Sequence, residues 1–214
     1  MKSLVFDIET DSLQPTKIYC MSVLNVETKE QLNFPQSKIE EGVQLLESSD
    51  KLIGHNIIGF DIPAIQRLYG VDLMSKKIID TLVLSRLFNP IRASHGLKAW
   101  GNTLQFPKIE YNDYSRYSDD MMKYCAQDVF VNYKVYQALK TESKGFTSES
   151  VNLETETYKI TTKQKDFGFA LNRKAVQKLL AYFKIELVKA EGEVHRTFKP
   201  KVIERRLKAQ HTKQ

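Results

Sequence analysis

Three short segments of the 214-residue chain hold the side chains with the most chemical potential. The first is Asp7-Ile8-Glu9, at the end of the apolar run 3–8 (SLVFDI). Residues two apart in a strand point to the same face, so Asp7 and Glu9 are presented together. Adjacent carboxylates repel one another, and a shared metal ion or a shared proton resolves this. The second segment is Gly54-His55-Asn56-Ile57-Ile58-Gly59-Phe60-Asp61, where an apolar run empties into a loop and Asp61 opens a helix. The third is Tyr124-Cys125-Ala126-Gln127-Asp128, in a long helical pattern. A spacing of four puts Tyr124 and Asp128 on one helix face, one turn apart.

Each segment taken alone has an ordinary structural reading beside the chemical one. A D-x-E ends many strands, Asp61 by itself reads first as a helix cap, and Phe60 reads equally as core. Tyr124 and Asp128 read as a half-buried phenol beside a solvated carboxylate. His95 reads first as a helix-start residue, and Trp100 as core. Cys125 is expected to face away from its neighbours Tyr124 and Asp128 and carries no chemistry in this reading.

The elements that must position these residues follow from hydrophobic periodicity. Strands are expected over 3–8, 17–26 and 30–34, with a fourth at 51–54. Helices are expected over 38–48, from Asp61, over 81–88, within 95–104 and over 119–140. Ser118 is placed to cap the last of these, with Asp119 and Asp120 in its first turn. Strands followed by alternating helices and strands predict an α/β architecture, a mixed sheet flanked by helices. Residues 141–155 read as a polar linker, and 172–195 as an amphipathic helix with Val176, Leu179, Leu180, Phe183 and Leu187 on one face. The division is thus 1–142 for the main domain and 143–214 for a linker with a basic helical extension.

Charge is unevenly spread. Residues 1–142 carry 16 Lys/Arg and 18 Asp/Glu, whereas residues 143–214 carry 16 and 8. From Arg196 onward there are seven Lys/Arg against one Glu. An acidic site beside a basic flank points to metal-assisted chemistry on a polyanion, although a basic helix face is also a common solvated surface. No apolar run approaches a membrane span and the N-terminus lacks a signal-peptide pattern, so no membrane partner is expected. Two isolated cysteines, Cys20 and Cys125, fit a reducing, cytoplasmic compartment.

Taken in order, FDIET, HNIIGFD and YCAQD resemble the three motifs of the DEDD superfamily of 3′–5′ exonucleases, tyrosine subclass. DTLVLSRL at 80–87, SHGLKAWG at 94–101 and MMKYCAQDV at 121–129 extend the resemblance to the proofreading domain of podovirus-type family A DNA polymerases. It is close over residues 1–140 and looser over 151–197. The resemblance implies a ribonuclease-H-like (DnaQ-like) fold and two-metal hydrolysis of a DNA 3′ end to nucleoside 5′-monophosphates. Asp7, Glu9, Asp61 and Asp128 would hold two divalent ions, Asp7 between both, Glu9 and Asp128 on one, and Asp61 on the other. Oxygen ligands without clustered Cys or His suit Mg2+ or Mn2+. Tyr124 would orient the attacking water, its ordinary pKa of about 10 suiting it less to act as a base. Leu13 and Phe60 would pack against bases of a single-stranded end, with Asn56 as a polar contact and the backbone at Thr10 gripping the terminal nucleotide. The polymerase palm, fingers and thumb have no counterpart here, so the chain is not expected to synthesise DNA by itself. A polymerase subunit is then a candidate partner, and RNA trimming by the same carboxylates remains an alternative.

Overall fold

A computed structural model describes residues 2–199, in two compact units, Met1–Phe167 and Gly168–Gln214. The first unit is built on five strands: β1 (Ser3–Thr10), β2 (Ile18–Asn25), β3 (Gln31–Pro35), β4 (Lys51–Gly54) and β5 (Lys77–Asp80). Their order in the sheet is β3-β2-β1-β4-β5, with β1, β2 and β3 pairing antiparallel and β1, β4 and β5 parallel. β1 is central, and its residues Leu4, Val5, Phe6 and Ile8 are buried. This mixed sheet matches the expected architecture. β5 is one strand more than periodicity indicated, because four residues are too few to show an alternation.

The helices of this unit are α1 (Ile39–Glu47), α2 (Asp61–Tyr69), α3 (Thr81–Phe88), α4 (Leu97–Thr103), α5 (Asp119–Glu142) and α6 (Ser148–Phe167). The two-residue period of β1 divides the core. Leu4, Phe6 and Ile8 join Val43, Leu46, Ile62 and Ile65, from α1 and α2. Val5 faces the other way and packs with Val129 and Tyr136 of α5. Asp7 and Glu9 share the parity of Val5, so the strand aims both carboxylates at the face that α5 crosses. Ser118 accepts from Met121 N at 3.1 Å, capping α5 as its sequence predicts.

The stretch expected to be a linker is helical from Ser148, and the first unit continues to Phe167, past the expected boundary at 142/143. The polar composition of α6 hides this, since only Thr155 and Thr162 are buried within it. The second unit holds α7 (Arg173–Thr197), where Leu179, Leu180, Phe183 and Leu187 are all exposed. Most of the basic tail lies outside the described residues. No helix among the described residues is long and apolar enough to cross a membrane.

Candidate functional site

β1 supplies Asp7 and Glu9 where the strand emerges from the core, next to an irregularity in its pairing between Glu9 and Thr10. α5 crosses the same face and brings Asp128, one turn beyond Tyr124. Asp61 comes from the opposite layer. It is the first residue of α2, and its Oδ1 accepts from Ile8 N at 3.2 Å, between the two β1 carboxylates in sequence. Its side chain therefore does not cap its helix; it is turned back onto β1. Asp7, Glu9, Asp61 and Asp128 thus converge, and Glu9, Asp61 and Asp128 are buried although ionisable.

The electrostatics of the cluster follow from that convergence. Burial raises the Asp7 carboxyl far above its ordinary range, and the charges of Asp61, Glu9 and Asp128 raise it further. Burial and then Asp128 push Glu9 up to about 8. Burial pushes Asp61 to about 7, against the lowering effect of the Ile8 amide. Four carboxylates that disfavour their own ionisation are a site built for cations.

One cation is already present. Lys108, in the segment between α4 and α5, forms an ion pair with Asp128 Oδ2 and donates to Tyr124 Oη at 2.9 Å. It lowers the pKa of Asp7, Glu9 and Asp128. Asp128 Oδ1 is buried and has no hydrogen-bond partner among the described residues. A buried orphan carboxylate oxygen is costly unless something binds it. The all-oxygen donor set and this orphan atom fit a divalent ion of the Mg2+ or Mn2+ type. Tyr124 is held protonated, its pKa raised by burial and by Asp128. Because Lys108 donates to its oxygen, the phenolic proton is left to be donated.

Cys125 has a neighbour that helix geometry did not indicate. It is buried, but its Sγ lies 3.4 Å from the Asp7 carbonyl oxygen and 3.8 Å from Asp7 Oδ2, so it faces the β1 carboxylate. A ligand atom from each of Asp7, Glu9 and Cys125 falls within 4.8 Å of the others. Burial raises the thiol pKa well above its ordinary value, so Cys125 stays a neutral thiol packed behind Asp7.

Beside Glu9 opens a cleft of about 380 Å3 lined by Ile8, Thr10, Leu13, Phe60 and Tyr114. It gathers Thr10, Leu13 and Phe60, and adds Tyr114. Leu13 is 90% exposed, which leaves it free to pack against a ligand. Phe60 is half-buried, so it is not core. The Thr10 hydroxyl donates to Ser12 O at 3.0 Å. Asn56 lines the adjoining cleft with Leu13 and Phe60. Its Oδ1 accepts from Tyr158 Oη of α6 at 2.7 Å, so this acceptor is held by the protein. Asn56 has φ +66°, and the loop around it is tied by Asp80, whose carboxylate accepts from Asn56 N at 2.9 Å and Ile58 N at 3.1 Å. His95 bonds Ser85 Oγ through Nδ1, just ahead of α4, and Trp100 is buried as expected.

Lys108, Tyr114, Asp80 and Tyr158 were not singled out by the sequence. Asp80 alone carried a local signal, an Asp directly before an apolar helix, where it does cap α3 through Leu82 N and Val83 N. Lys108 and Tyr114 lie in an aperiodic segment, and Tyr158 in a polar helix, where spacing says nothing about tertiary contacts.

Comparison with known proteins places this geometry in a family. The RNase_H superfamily model matches residues 4–140, and the chain belongs to that superfamily. This makes it a nuclease-class enzyme with the mixed sheet of that fold. It is 25% identical to the DNA-directed DNA polymerase of Escherichia phage T7, over 90% of this chain and 36% of that protein. It is 34% identical to the PolC-type DNA polymerase III of Ureaplasma parvum, over 56% of this chain and 8% of that protein. The chain therefore spans about a third or less of these relatives. Among solved structures, Brucella melitensis NrnC with bound Mg2+ superposes with a TM-score of 0.60 at 19% identity, covering 78% of this chain and 86% of NrnC. NrnC has also been solved bound to pGG.

Proposed function

We propose that the chain is a metal-dependent 3′–5′ exonuclease that hydrolyses single-stranded DNA ends to nucleoside 5′-monophosphates, as a proofreading activity in the cytoplasm. The observation that carries this is the convergence of Asp7, Glu9, Asp61 and Asp128, with their raised pKa values and the orphan Asp128 oxygen, beside an apolar cleft. Asp7 would lie between two divalent ions, with Glu9 and Asp128 toward one and Asp61 toward the other. Bound Mg2+ or Mn2+ supplies charge neutralisation and water activation for phosphodiester cleavage. The protein's own residues do the rest. Leu13, Phe60 and Tyr114 hold the terminal base by packing, which tolerates any sequence. The protonated Tyr124 hydroxyl donates toward the attacking water and orients it. The buried walls restrict bulk water around the carboxylates.

DNA labelled at its 5′ end and incubated with Mg2+ should give a ladder shortening from the 3′ end, absent with Asp7→Ala. Equal degradation by Asp7→Ala would remove the assignment. An RNA oligomer in parallel tests the RNA-trimming alternative, which the carboxylates by themselves do not distinguish.

A second reading rests on α7. Ninety per cent of this chain exceeds the 167 residues of the first unit, so its similarity to the T7 polymerase runs into the second. The exposed Leu179, Leu180, Phe183 and Leu187 of α7 would then dock on a polymerase subunit, residues 143–214 serving as the connection. A monodisperse monomer that binds no apolar-surface dye would count against it.

A further inference from the structure

A second cavity opens on the carboxylates from the side of Asp7 and Asp128. It has a volume of about 500 Å3, and His55, Asn56, Arg86, His95 and Lys108 stand around it. Asp7 and Asp128 are its only carboxylate walls among the described residues. The cleft beside Glu9 is apolar, so the catalytic carboxylates lie between one wall suited to a base and one suited to an anion.

The two histidines are set by α3. Thr81 and Ser85, one turn apart, bond His55 Nδ1 at 2.9 Å and His95 Nδ1 at 2.8 Å. Both rings are thus fixed through Nδ1, and Nε2 is the remaining polar atom of each. Ser85 Oγ also accepts from Trp100 Nε1 at 3.1 Å, so the His95 ring is held by a side chain that is itself fixed on both sides. The hydrogen-bond network assigns the tautomer of His55. The Thr81 hydroxyl has acceptors in Asn132 Oδ1 at 2.7 Å and Gly54 O at 3.2 Å, so His55 donates to it from Nδ1. Burial lowers the His55 pKa to about 4, which keeps it uncharged. Arg86, exposed on α3 next to Ser85, has no hydrogen-bond or ion-pair partner among the described residues.

We propose that Arg86 and His95 form a subsite for the backbone phosphate one linkage upstream of the bond being cut, with His55 shaping its floor. This rests on the exonuclease reading and adds to it the residues that hold the incoming strand. An unpaired guanidinium and an imidazole held through Nδ1, both lining one cavity, match a phosphodiester oxygen pair. Lys108 is engaged with Asp128 and Tyr124, so it does not compete for that phosphate.

The test uses the whole chain and its Arg86→Ala variant, which exchanges an exposed helix residue for a good helix former. Binding of fluorescent single-stranded DNA is followed by anisotropy in Ca2+ across a salt series, with strand integrity checked on a gel. Arg86→Ala should weaken binding about tenfold, the loss of one charge-assisted contact, and flatten the salt slope by about 0.7, the value of one single-strand phosphate. A single neutral methylphosphonate at the upstream linkage should weaken the wild type by a similar factor and add little to Arg86→Ala. His95→Gln, which offers a side-chain N–H donor, should retain more affinity than His95→Ala. Unchanged affinity and slope in Arg86→Ala, or penalties that multiply independently, would overturn the subsite. Hydrolysis in Mg2+ is scored separately: a wild type that binds as described but cleaves nothing defeats the exonuclease reading and leaves the subsite standing, whereas cleavage without these binding effects does the reverse.

Discussion

Lys108 pairs with Asp128 within the buried carboxylate cluster, so the site carries one built-in cation from a segment without regular structure. The ammonium lowers the pKa of Asp7, Glu9 and Asp128 together. Metal binding needs these groups ionised, and their protonation therefore sets the acid side of the activity profile. Lys108→Met removes that lowering influence, so the carboxyl pKa values rise. The acid limb of the pH–rate profile should shift to higher pH in Lys108→Met, measured with saturating Mg2+. A limb that stays put or moves to lower pH would mean that Lys108 does not govern these ionisations.

The same carboxylates make metal-free stability depend on pH. Glu9 titrates at about 8 and Asp61 at about 7 in the folded chain, well above ordinary carboxylate values. The folded state thus holds protons that the unfolded state has already released, and stability falls as pH rises from about 4.5 through about 8. In EDTA the melting temperature should drop across this window, by about 2–4 °C for each kcal/mol lost. Mg2+ binds the ionised, folded form and should recover more at the alkaline end than at the acid end. A metal-free melting temperature that rises with pH over this interval would contradict the cluster as described.

Legibility in the sequence followed the range of the forces involved. Asp7 and Glu9 were readable because strand parity is local, and Tyr124 with Asp128 because a helical turn is local. Four of the five strands, with α1, α2, α3 and α5, were readable from apolar periodicity. The contact of Cys125 with Asp7 was not legible, because Asp7 approaches α5 from a strand more than a hundred residues away, which helix geometry cannot anticipate. α6 was missed because a helix with two buried residues, both threonine, leaves no apolar stripe. Lys108 and Tyr158 act through a few tertiary contacts, and such contacts leave no periodic trace.

Asp80 connects the site loop to α3. Its buried carboxylate accepts from Asn56, Ile58, Leu82 and Val83 amides. Asp80→Ala strands these donors and removes a helix cap, costing about 2–4 kcal/mol. Urea unfolding should show that loss as a lower midpoint with an unchanged slope. Asp80→Asn keeps one acceptor oxygen and should lose less. Equal midpoints for wild type and Asp80→Ala would show that these amides find other partners.

Tyr158 tests whether α6 belongs to the working nuclease. Its hydroxyl donates to Asn56 Oδ1 at 2.7 Å, at a residue held in the left-handed region with φ +66°. The contact needs Gly59: a Cβ there would stand 2.9 Å from Tyr158 Oη and 2.5 Å from Asn56 Oδ1. Tyr158→Phe keeps the ring and loses one hydrogen bond, about 1 kcal/mol, so the fold should survive. Released from its partner, the Asn56 side chain no longer fixes the edge of the cleft that it shares with Leu13 and Phe60. Positional losses of this kind fall on the reacting complex, so kcat/KM on single-stranded DNA should fall about 3–10-fold with little change in melting temperature. Gly59→Ala should lower activity further, because the added methyl displaces both partners instead of unpairing them. Full activity in both variants would make α6 a support for the sheet alone, with no part in positioning the strand.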